Sequence, residues 1–199
     1  RMFYIDLSNE SQPIHTVVDH VDSDTHLIDN QGSQFILYTN LDAPNGRVVS
    51  LDTETQQWND IIPEREQPLD ITTGGGYLLA HYMVDVLSKY EQFDYQGNKV
   101  RDIELPAQGA ASGLGGEREQ TPLYYTFTNY VTPPTIFSFD VETGESKVFE
   151  KSQAPFESEQ YQSEQVFYSS KDGTRVPMLI SYKKGTKLDG SAPTILYGY

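Results

Sequence analysis

Ile136-Phe137-Ser138-Phe139-Asp140 is a short run of mostly apolar residues that closes on an aspartate, and the same pattern occurs elsewhere in the chain. It returns as Phe3-Tyr4-Ile5-Asp6, Val48-Val49-Ser50-Leu51-Asp52 and Tyr90-Glu91-Gln92-Phe93-Asp94. The closing aspartates are 46, 42 and 46 residues apart, counted from Asp6 to Asp52, Asp94 and Asp140. A period of about 40–50 residues built from strands marks a β-propeller with four strands per blade. A second run keeps phase with the first. Residues 35–40, 77–82 and 124–129 read as strands, and within them Tyr38, Ala80 and Thr126 each lie 14 residues ahead of the next closing aspartate.

The rest of each blade follows. A short first strand is predicted at residues 26–29, 69–73 and 110–114, followed by the turn signals Asn30-Gln31-Gly32, Gly74-Gly75-Gly76 and Gly115-Gly116. The fourth strands fall at residues 57–62, 99–105 and 146–150, after the polar turns Thr53-Glu54-Thr55, Gln96-Gly97-Asn98 and Glu142-Thr143-Gly144. Each repeated aspartate sits where a strand meets a turn. That position predicts a side chain bonded to turn amides rather than a catalytic carboxylate. No amphipathic helix is evident before residue 151. The fold class expected is all-β: about three blades of a partial propeller. Residues 1–153 form that part.

The pattern changes near residue 150. Residues 151–165 read as a linker, and residues 164–169 and 176–182 as two strands joined through Asp172-Gly173, a hairpin signal. Residues 183–191 form a polar loop, and Pro193-Thr194-Ile195-Leu196-Tyr197-Gly198-Tyr199 reads as a buried strand. Charge shifts at the same boundary. The chain carries −15, and residues 154–199 hold five basic and five acidic side chains, so all the net acidity lies on residues 1–153.

Composition narrows the function. With 14 Tyr, 9 Phe and 37% hydrophobic residues, the 199-residue chain is too apolar for disorder and suited to strands. It has no cysteine, hence no disulfide, thiolate metal site or cysteine nucleophile. The negative charge disfavours nucleic acid and anionic membranes as partners. No apolar stretch approaches the ~18 residues of a membrane span. The opening Arg1-Met2-Phe3-Tyr4-Ile5-Asp6 is strand-like and unlike a signal peptide, as though the chain began mid-strand within a longer one. The compartment stays open between cytoplasm and periplasm.

Catalytic motifs are sparse. There is no G-x-S-x-G elbow. His15, His20, His26 and His81 lack zincin spacing, and no cofactor motif is present. Ser112-Gly113-Leu114-Gly115-Gly116 reads as a turn between blade strands. Glu64-Arg65-Glu66 and Glu117-Arg118-Glu119 read as solvated loops.

The C-terminal series is the most specific: Ser170-Lys171-Asp172-Gly173-Thr174, Lys183-Lys184-Gly185, Leu188-Asp189-Gly190-Ser191, Pro193 and Leu196-Tyr197-Gly198-Tyr199. It resembles the start of the peptidase domain of the prolyl oligopeptidase family. Phe127-Thr128-Asn129, Pro133 and residues 140–149 resemble that family's last blade. The resemblance implies that residues 154–199 open an α/β-hydrolase domain capped by a propeller, and that the catalytic Ser, Asp and His lie further along. It implies a serine peptidase acting on short proline-containing peptides, without a cofactor and as a monomer. It assigns the phenol of Tyr199 to the oxyanion hole. A sibling specificity for basic residues and a non-catalytic binding propeller are the alternatives. Residues 164–199, which fit no further blade, separate the enzyme from the binding module.

Overall fold

A computed structural model describes residues 1–198. Among them the regular structure is strand apart from one 3-10 turn, Ser158–Gln160. Strands β1 (Met2–Ile5) and β2 (Ile14–Val18) form an antiparallel pair. Three four-stranded antiparallel meanders follow, each paired in chain order. Blade I is β3 (Thr25–Gln31), β4 (Gln34–Thr39), β5 (Arg47–Asp52) and β6 (Trp58–Ile62). Blade II is β7 (Leu69–Gly74), β8 (Tyr77–Val84), β9 (Leu87–Phe93) and β10 (Lys99–Ile103). Blade III is β11 (Ala110–Gly115), β12 (Leu123–Asn129), β13 (Thr132–Phe139) and β14 (Ser146–Lys151). A separate hairpin, β15 (Tyr161–Ser169) and β16 (Arg175–Lys183), comes last.

The repeated aspartates do what their position predicts. Asp52 Oδ1 accepts the backbone N–H groups of Glu54 and Thr55, each at 2.9 Å, and Asp140 Oδ1 accepts those of Glu142 and Thr143 at the same distance. Asp94 takes Gln96 and Asn98, and Asp6 takes Ser8. These bonds favour the ionised carboxylate. Backbone donors hold Asp52 and Asp140 below the usual range. At Asp94 burial opposes, and the bonds from Asn98 and Gln96 outweigh it.

Each sheet packs face to face on the next. Between blades I and II lie Ile36, Val48, Ile62, Leu69, Leu78, Tyr82 and Phe93. Between blades II and III lie Leu79, Tyr90, Leu123, Tyr125, Phe127 and Phe139. Leu37, Val49 and Leu51 face β1 and β2, against Met2 and Val17. Adjacent residues therefore serve opposite layers, as strand geometry requires: Ile36 and Leu37 on β4, Leu78 and Leu79 on β8. Burial of each such side chain stabilises by about 1.5–3 kcal/mol. The far face of blade III leaves Ile136 and Phe149 exposed.

Three expectations are corrected. Residues 193–198 form no strand, and Ile195 is 94% exposed. Ser112–Gly115 is not a turn but the bulged end of β11, where the register shifts and Gly113 takes φ +80°. The linker is shorter than read, because β14 runs to Lys151 and β15 starts at Tyr161.

Candidate functional site

The meander sorts every blade's turns onto two rims. One rim carries the β4–β5, β8–β9 and β12–β13 turns and the links between blades. The other carries the aspartate turns and the β3–β4, β7–β8 and β11–β12 turns.

The β15–β16 hairpin meets the first rim. The Gln165 backbone N–H donates to Gln108 Oε1 at 2.9 Å, on the link into blade III. The Gln165 side-chain amide donates to the Asp85 carbonyl, in the β8–β9 turn. Arg175 Nη1 lies 3.6 Å from Asp85 Oδ2, and its guanidinium sits over the Phe167 ring, 3.2 Å from the centroid. The link itself is tied to blade III, since Asn129 Nδ2 donates to the Gln108 carbonyl at 2.9 Å.

On the same rim a cleft of about 460 Å³ opens between blades I and II, lined by Asp24, His26, Tyr38 and Asp70 among others. Beside it stand Asp70, His81 and Ser88. His81 Nε2 is 3.0 Å from Ser88 Oγ, and His81 Nδ1 is 3.7 Å from Asp70 Oδ2. These are the residue types of a serine hydrolase triad, but the hydroxyl is not available to a substrate. Ser88 is buried, accepts the Ala111 N–H at 3.0 Å and lies 3.3 Å from the Ala111 carbonyl. A nucleophile must present a free lone pair to an acyl carbon, and this one is committed to the next blade. The group is an inter-blade bridge. Burial pushes the His81 pKa down from 6.5 against the opposing pull of Asp70. Its ring stacks on Tyr90, just as His26 stacks on Tyr38 and His15 on Tyr4, each pair directly opposed across a ladder.

The opposite rim carries a charged clasp. Arg118 Nη2 donates to Asp29 Oδ1 at 2.6 Å and also to the Asn30 carbonyl, while Tyr95 donates its hydroxyl proton to Asp29 Oδ2. Asp29 belongs to blade I, Tyr95 to blade II and Arg118 to blade III, so one carboxylate joins three blades. Burial opposes the charge on Asp29, and the bonds from Tyr95 and Arg118 prevail to hold its pKa low. Burial together with that carboxylate pushes Tyr95 up to about 12. Arg118, expected in a solvated loop, is thus engaged. So is Arg65, which pairs with Glu91 at 2.8 Å and lies over the Tyr82 ring.

Tyr199, the one catalytic residue assigned from the sequence, lies outside the described residues. Among the described residues no cluster of His, Asp or Glu could hold a metal ion. Among the described residues, too, no helix is long and apolar enough to cross a membrane.

Comparison with known proteins gives this arrangement a context. The family described as "Prolyl oligopeptidase, N-terminal beta-propeller domain" matches residues 1–152. The chain is 48% identical to a prolyl endopeptidase of Elizabethkingia meningoseptica, over its whole length and 28% of that relative. Among solved structures, one of a pair of prolyl endopeptidases studied for inter-domain dynamics matches with a TM-score of 0.75 at 36% identity, over 92% of this chain and 28% of that one. Prolyl oligopeptidase B from Galerina marginata matches with a TM-score of 0.83 at 29% identity, over 96% of this chain and 28% of that one. The chain thus spans little more than a quarter of the length of these relatives.

Proposed function

Because the chain belongs to the prolyl oligopeptidase family, we propose that the whole protein carrying it is a serine-type peptidase that cleaves short peptides after proline. The observation that carries this reading is similarity along the whole of this chain to a prolyl endopeptidase at 48% identity, extending past the propeller through residues 153–199. Residues 1–153 are the cap, and residues 154–199 open the α/β-hydrolase domain. The nucleophile, acid and base come from outside these 199 residues, so this stretch alone is inactive. The whole protein acts as a monomer.

Two roles fall to this part of the molecule. The propeller limits access, admitting short peptides and holding folded proteins out. Tyr199 donates its phenolic proton to the oxyanion formed when the serine attacks the prolyl carbonyl. A preorganised donor of this kind acts on charge that exists only in the transition state, and losing one lowers kcat by about 10²–10³-fold.

The test uses the whole protein beside its Tyr199→Phe variant, a blocked Gly-Pro chromogenic peptide and a blocked Arg peptide as control. Release from Gly-Pro, with kcat reduced at least tenfold in the variant and KM little changed, supports both assignments. Release from the Arg peptide alone moves the protein to a basic-residue oligopeptidase. No release from either, in a folded protein, leaves a binding propeller.

A further inference from the structure

The β8–β9 turn is built against its own sequence. Val84 pairs with Leu87, leaving Asp85 and Val86 as a two-residue hairpin loop in which both take positive φ, +48° and +65°. Such loops favour Asn-Gly or Asp-Gly, since the second position suits glycine. A β-branched residue there is an outlier, and its side chain gains little from burial because Val86 is exposed. A strained turn persists where surrounding contacts fix it. Here the contacts come from the hairpin. The Asp85 carbonyl and carboxylate each meet it, through Gln165 and Arg175, while Gln165 also reaches the neighbouring link at Gln108.

We infer that Asp85, presented by this strained turn, is a positioning residue that seats the β15–β16 hairpin on the propeller rim and, through it, the sequence leading to Tyr199. The seat rests on geometry. Its effect on turnover rests on the peptidase reading above. Asp85 and Arg175 are 44% and 63% exposed, so their attraction is solvent-screened and the seat is shallow. A shallow seat allows the hairpin to lift and reseat without unfolding either element.

The experiment compares Asp85→Asn, Arg175→Gln and the double variant in the whole protein. Asparagine suits a left-handed turn at least as well as aspartate, so Asp85→Asn removes charge and leaves the loop intact. Amide hydrogen exchange within β15 and β16 should quicken about two- to five-fold in each single variant, the range of an exposed ion pair, with no further gain in the double. The wild-type protection should fall to the variants' level in 1 M salt, where the screening length is ~3 Å. On the Gly-Pro peptide, kcat should drop by a similar factor with KM little changed. Unchanged exchange in both single variants, or effects that add in the double, overturns the seat. Faster exchange with unaltered kcat overturns its catalytic role. If the whole protein cleaves no peptide, the peptidase reading fails and the exchange measurements still decide the seat.

Discussion

Replacing Ser88 by alanine removes one oxygen and breaks two connections at once. The Ala111 N–H loses its 3.0 Å acceptor in a buried position, and His81 Nε2 loses its 3.0 Å partner. A buried amide left without an acceptor costs about 1–3 kcal/mol, and an ordinary hydrogen bond contributes about 0.5–1.5 kcal/mol. His81 keeps its stacking on Tyr90, so the ring is not released. The expected destabilisation is therefore about 1.5–4.5 kcal/mol, confined to the boundary of blades II and III. Urea unfolding followed by tyrosine fluorescence should show a lower midpoint with an unchanged slope. Exchange at the Ala111 amide should rise much more than at Leu37 or Val49, in the layer facing β1 and β2. A loss below about 0.5 kcal/mol, or an Ala111 amide that exchanges as slowly as before, would show that the hydroxyl contributes nothing to joining these blades.

Two further predictions concern stability. Gly97 has φ +84°, and a Cβ there would stand 2.2 Å from the Ile61 carbonyl oxygen of blade I. Gly97→Ala should cost about 3 kcal/mol from the left-handed backbone and the clash together. Gly173→Ala, at φ +86° with open space around it, should cost only ~1–2 kcal/mol; equal urea midpoints for the two would refute the clash. His81 has a folded pKa below its ordinary 6.5, so the unfolded chain binds the proton more readily. Its contribution is complete above about pH 6.5 and is lost as pH falls towards the folded value. The depressed carboxylates Asp52, Asp94 and Asp140 keep their contribution until pH approaches 3.8. The urea midpoint should thus drop between pH 7.5 and 5.0, and less in His81→Gln; an unchanged wild-type midpoint would refute this.

The parts legible in the sequence are those governed by near neighbours. An aspartate that bonds amides two and three residues on writes its turn into the sequence, and Asp52 and Asp140 did so. Tyrosine-rich alternation marked β4, β8 and β12 within a residue or two. The hairpin was signalled by Asp172-Gly173, although β15 begins three residues before the expected Glu164. β2 lies outside the repeat: Ile14-His15-Thr16-Val17-Val18 is followed by Asp19, but that aspartate falls only 13 residues after Asp6 and out of phase with the 42–46-residue spacing of the others. What stayed hidden depends on contacts across blades. Asp29, Tyr95 and Arg118 are up to 89 residues apart, and nothing local sets Arg118 apart from any arginine between two glutamates. Ser88 and His81 face each other only through the pairing of β8 with β9. The strand expected at residues 193–199 rests on apolar composition, which identifies a side chain's preference but does not place it in a ladder, and residues 193–198 form none.

The inner strands carry leucine towards both neighbours, and this removes a safeguard found in sheets with one wet face. Where one side is polar, sliding a strand by one residue throws its apolar side chains into water and is rejected. In β8, Leu78 and Leu79 would exchange layers and remain dry after the same slip. Hydrophobicity therefore cannot index these strands. The indexing falls to the turns: a carboxylate that captures amides at fixed offsets stops the third strand of each repeat at one residue and no other. The acidity of the propeller is, in this respect, a set of alignment marks, and erasing one should produce chains that are fully collapsed and misregistered rather than unfolded.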